Sequence, residues 1–217
     1  MEVIEIITVT LVGLFIAYFF LASKKETENF AYIDEYKFHD GVLTRFKKTR
    51  PELTLEEVNT VVLALKDYFK IHHRAGKKFL SMPSQVVDDL WHEFILFTKE
   101  YETFCKGAVG HYLHHVPSEA MQDQKVASTG IQNTWKYACA LEAINPQNPT
   151  KLPRLFLLDS KYKIPNGFYY TRNCNSSSGS GYCASHIGDS SDLDDGHVGS
   201  DNSDIGNSCG SSCGGGD

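Results

Sequence analysis

The chain has 217 residues, six cysteines and a formal charge of −6. From residue 173 onward it carries seven of the 27 acidic residues and neither Lys nor Arg, so the part before it is nearly neutral. A neutral body with an acidic tail offers no basic patch and excludes an electrostatic case for nucleic acid as a partner. A disulfide-stapled secreted domain is excluded too, because only Cys105 and Cys139 lie in the body, while Cys174, Cys183, Cys209 and Cys213 lie in the tail. The body cysteines read as small buried hydrophobes.

Residues 6–22 contain no charged side chain. At 1.5 Å per residue they reach about 25 Å, the short end of a membrane-spanning helix. Val3 and Ile4 extend the run, and Tyr18, Phe19 and Phe20 suit the interface at one end. Lys24 and Lys25 follow immediately, with no basic residue in front, which is the reverse of a cleavable signal peptide. The positive-inside rule, helped by Lys47, Lys48 and Arg50, puts the N-terminus outside and the soluble part in the cytoplasm. The expected partner of residues 6–22 is the lipid bilayer.

Beyond the anchor (residues 1–25), residues 26–35 read as a polar connector and residues 34–48 as a first soluble helix, together forming a segment over 26–50. A helical domain follows over 51–172. Thr54 and Glu57 have capping-box spacing and open the next helix, which Gly76 should stop. From Ser84 a single helix is expected over 85–106, apolar around much of its circumference and therefore central. Residues 118–144 read as one or two helices interrupted near Ser128, Thr129 and Gly130. Residues 155–158 and 162–164 read as short strands, with a turn at Pro165, Asn166 and Gly167. The expected fold is all-α: a transmembrane helix, a compact bundle of four to five helices with room for one small β-hairpin, and a disordered tail. That tail, residues 173–217, is built of Ser, Gly and Asp and has too little apolar surface to offset its ordering entropy.

Reactive residues concentrate in one region: Asp88 and His92, then Cys105, then His111, His114 and His115. Asp88 and His92 stand four apart and share a helix face. A reversal between Gly107 and Gly110 would return His111, His114 and His115 toward that face. Imidazoles with a carboxylate suit a divalent transition metal such as zinc, or iron or manganese. Two other readings of the same residues stand beside this one: a structural His92 hydrogen-bonded to Asp88, and general acid/base catalysis. Cys105 falls roughly 140° around a straight helix from His92 and belongs to the core. His72 and His73, near a helix C-terminus, read as a solvated end.

Asp88, Trp91 and His92, with Tyr101, Cys105 and the run from Gly110 through His114 and His115 to Pro117, resemble the glycine-rich domain-containing protein-like family, in particular its small bacterial members. Leu152 to Asp159, Ile164 to Tyr169 and the tail's Cys209 and Cys213 among glycines resemble the same group. The resemblance implies a bacterial source, hence an inner-membrane location, and carries no activity. One departure is that plant-type members have acidic residues after the first His, where this chain has His115 and Val116. Three functions stand as expectations: a membrane-tethered binding or scaffold module that binds metal through the Asp/His cluster, with the tail reaching protein partners; a metal-dependent hydrolase built on that cluster; or a membrane-bound metal-handling protein whose tail Cys and His residues collect the ion.

Overall fold

The computed structural model describes residues 2–116, 124–172, 182–183 and 187. Among them are seven helices: α1 (Glu2–Glu35), α2 (Asp40–Thr49), α3 (Leu55–Ala75), α4 (Gln85–Ile95), α5 (Thr98–Ala108), α6 (Gln124–Leu141) and α7 (Arg154–Lys161). The fold is all-α, as its patterning predicts.

One helix, α1, is long and apolar enough to cross a membrane, and none of its apolar window is buried within the protein. It does not stop at Lys25. The expected connector over 26–35 is helical and continuous with the anchor, and the break comes at residues 36–39, before α2. Packing explains the extension. Ile33 is buried, Asp34 pairs with Lys70, and Phe30 lies under Lys70 and Arg74 of α3. A polar sequence became helix because one face of it has a partner.

The capping box at Thr54 and Glu57 forms in full and opens α3, and Gly76 ends it. The expected single helix over 85–106 instead divides into α4 and α5 at Leu96 and Phe97. No Gly or Pro marks the break. In a straight helix, residues ten apart are about 15 Å apart. Here the rings of Phe94 and Phe104 lie 5.4 Å apart, and Trp91 Nε1 donates to Tyr101 Oη at 3.1 Å. Both contacts require α5 to fold back on α4. They feed an aromatic core in which Phe69 meets Phe104 at 4.7 Å and Phe38 meets Phe94 at 4.8 Å.

Further along, α6 runs without interruption through Ser128, Thr129 and Gly130. Gly130 is required there by close approach, since a Cβ would meet Ser81 Oγ and the Phe79 ring. Residues 155–158, expected as a strand, are helical in α7, where Leu155, Phe156, Leu158 and Asp159 all face inward. A short apolar run is compatible with either state, and burial at i, i+3 and i+4 decided for the helix. No hairpin forms at the expected place. Among the described residues one strand pair forms, β1 (Tyr170–Thr171) with β2 (Tyr182–Cys183), and it is parallel. The rest of the expected disordered tail lies outside the described residues, as do Pro117 and residues 118–123.

Candidate metal centre

The site begins with the end of α4. Ser84 occupies the N-cap, but its hydroxyl does not cap the helix. It donates instead to Asp159 of α7, whose carboxylate also accepts from the backbone N–H groups of Gln85, Val86 and Phe168 at 2.7–3.1 Å. Asp159 is thus the cap, and it sets the origin of the helix that carries Asp88, Trp91 and His92.

The opposite wall is set by a relay. Tyr101 Oη accepts from Trp91 and donates to the Leu113 carbonyl at 2.6 Å. The relay ties α4 and α5 to the segment after Gly110, whose φ of +86° permits the reversal. Two residues beyond Leu113, His115 Nε2 lies 3.0 Å from Asp88 Oδ1, with its ring 4.6 Å from Trp91 and 4.4 Å from His92. His92 Nε2 is 3.6 Å from Asp88 Oδ2, an ion-pair distance and too long for the expected hydrogen bond. The hydrogen bond from Asp88 goes to His115 instead.

Asp88, His92 and His115 each present a donor atom, all within 4.8 Å of one another. Ligands held at about 2.0–2.1 Å around one tetrahedral ion stand roughly 3.3 Å apart. His115 stands 3.0 Å from one Asp88 oxygen and His92 3.6 Å from the other, near that value, and the three ligand atoms as a set close to within 4.8 Å. Two imidazoles and a carboxylate are a fitting donor set for zinc or iron. Asp88 and His115 are mostly enclosed, while half of the His92 side chain faces solvent. His111 and His114 are exposed and stand outside this group, and His114 packs on Tyr112 at 4.8 Å. Of the five expected ligands, the structure therefore gathers three. Cys105 is buried core, as expected, but its angle from His92 on a straight helix is not the reason, since the helix breaks between them.

Sequence reading missed the inner lining. Tyr68 and His72 of α3 pack edge to face at 4.6 Å, and Tyr68 lies 5.3 Å from Trp91. Burial first, then the neighbouring Asp88 charge, push the Tyr68 phenol up, so it stays protonated. His72 is not a solvated end. Its Nε2 is closed to solvent and has no hydrogen-bond partner. Burial, reinforced by nearby His111, pushes its imidazole down to about 3, so the ring is neutral. The one available signal was the four-residue spacing of Tyr68 and His72 on an apolar stripe. Its neighbour His73 hydrogen-bonds to Asn29 of α1.

A model of the UCP032817-like proteins matches residues 28–189 of this chain. The chain belongs to the UCP032817-like family. The match spans every element from the end of α1 to β2 and includes all three clustered residues. No curated protein and no solved structure matches. Membership names no reaction, so the chemistry has to be read from the site.

Proposed function

We propose that this UCP032817-like protein is a membrane-tethered helical module that binds a divalent transition metal through Asp88, His92 and His115. The observation that carries the reading is the convergence of two imidazoles and a carboxylate from separate chain segments at ligand spacing. Electrostatics support it, since a bound cation would neutralise Asp88 beside the buried, protonated Tyr68. The same uncharged segment and trailing lysines that predict a span support an N-terminus outside and a cytoplasmic domain, anchored in a bacterial inner membrane. The kinship with glycine-rich domain-containing protein-like proteins is part of the same proposal, resting on Asp88, Trp91, His92, Tyr101, Cys105 and His114.

Three protein ligands with one half-open to solvent also suit a hydrolase. A metal there would supply Lewis acidity and an activated water. Asp88, His92 and His115 would hold it, and Trp91 and Tyr101 would position His115. The closing experiment is elemental analysis of the purified full chain and its variants. One equivalent of metal should be lost in Asp88→Ala and His115→Ala and kept in His111→Ala and His114→Ala. Differences between variants cancel any metal held by tail cysteines. Equal metal content in all five proteins would end the proposal, and metal-dependent ester or phosphoester hydrolysis lost with Asp88→Ala would favour the enzyme.

A further inference from the structure

The helix that carries the apolar segment also fixes which face of the domain looks toward the bilayer. No break separates the uncharged residues 6–22 from the packed half of α1. Along that packed half, α1 and α3 run antiparallel. Glu26 pairs with Arg74 at 2.5 Å, Phe30 lies beneath Lys70 and Arg74, and the Asp34 carbonyl accepts from Lys66 at 2.7 Å. Moving up α1 therefore means moving back along α3. Arg74, at the end of α3, is level with a residue only four positions past the apolar run, about 6 Å along the axis.

The turn that follows α3 sits at this same end. Its Lys77, Lys78 and Phe79 are all exposed, and Phe79 is a large apolar residue, 37% exposed, with one edge of its ring over Gly130 of α6. Lys78 lies 5.9 Å from the Tyr137 ring, and neither it nor Lys77 nor Lys25 forms an ion pair among the described residues. The nearby carboxylates are engaged: Glu26 by Arg74, and Glu28 loosely by Lys24 at 3.8 Å. The result is an excess of positive charge, with one exposed aromatic ring, at the end of the domain from which the apolar helix leaves. Lysines with long apolar stems suit an anionic headgroup layer, and so does an adjacent ring that enters its apolar boundary.

We propose that Lys77, Lys78 and Phe79, with Lys24 and Lys25, form a basic foot that seats the domain on anionic lipid headgroups of the bilayer crossed by α1. The foot adds a second membrane contact beside the continuous α1 and keeps the Asp88, His92 and His115 face at a set height above the membrane. This inference rests on the membrane-spanning reading of α1 and not on metal binding.

The test uses the full chain in bilayers of phosphatidylcholine alone and of phosphatidylcholine mixed with phosphatidylglycerol in equal parts. Amide hydrogen exchange is followed in two regions. Residues 6–22 should be protected in both bilayers. Residues 75–80 should exchange about thirtyfold more slowly on the anionic bilayer, the scale of two lysines against a charged surface. That slowing should vanish in Lys77→Gln/Lys78→Gln and at high salt. Protection of 6–22 with equal exchange of 75–80 in both lipids overturns the foot alone, as would lipid-independent protection from a protein occupant. Fast exchange of 6–22 in both bilayers removes the spanning helix and the foot together.

Discussion

Two carboxylates meet at the start of α4, Asp88 from within it and Asp159 from α7, and they have opposite environments. Asp159 meets α4 at its first turn, is fully buried, and accepts four hydrogen bonds from one hydroxyl and three backbone amides. Asp88, one turn on, keeps part of its surface open, and its contacts across the site are two imidazoles. A carboxylate whose lone pairs are taken by backbone donors is a structural cap. One faced by imidazoles, which lose their protons to coordinate, is available to a cation. The difference separates a folding role from a binding role without reference to any activity.

The largest effect should come from breaking the cap. Asp159→Ala strands three backbone N–H groups and the Ser84 hydroxyl, and bonds to a charged acceptor are worth about 1.5–3 kcal/mol each. A loss of roughly 3 kcal/mol or more is expected in chemical denaturation of the detergent-solubilised chain. A loss below about 1 kcal/mol would mean that α4 finds another cap.

Next is the relay that places His115. Tyr101→Phe removes the hydroxyl between Trp91 Nε1 and the Leu113 carbonyl and leaves both buried groups unpaired, a cost of about 1–3 kcal/mol. Metal affinity should fall as well, because supporting partners typically contribute 10- to 100-fold. Unchanged affinity in a destabilised Tyr101→Phe would show that His115 is placed by its bond to Asp88 alone.

The third prediction concerns His72. Its folded-state pKa lies at about 3, below the usual 6.5 of an unfolded histidine. The unfolded chain therefore binds the extra proton first, and stability falls as pH drops from about 6.5 toward 3, by up to about 1.36 kcal/mol per pH unit. Asp67, raised to about 6 chiefly by burial, works in the opposite sense, so the informative quantity is a difference. His72→Phe should flatten the acid limb relative to the parent protein. Parallel pH profiles would mean that the folded protein protonates His72 without cost.

The smallest effect on folding should be at Asp88. Metal-free Asp88→Ala should stay within about 1 kcal/mol of the parent, since one partly exposed hydrogen bond is lost. The parent should gain about 2.7 kcal/mol when metal is supplied at a hundred times its Kd, and the variant nothing. Equal metal-induced shifts in melting temperature would remove Asp88 from the site.

The sequence alone determined the long apolar N-terminal helix, the all-α body and the capping box at Thr54. Each follows from composition or from local periodicity, which act within a few residues. Asp88 and His92 were legible together because a helix makes four-residue spacing a spatial contact. The tertiary structure decided the rest. It extended α1 through a polar stretch because α3 offered that stretch a partner, and it divided α4 from α5 because rings ten residues apart had to touch. From three nearby histidines it chose His115, because Trp91 and Tyr101 pin Leu113 and leave the residue two further on facing Asp88. His111 and His114 differ from His115 in nothing that spacing can see. Which imidazole reaches the carboxylate depends on where a backbone carbonyl is held, and that is fixed only when distant parts of the chain pack.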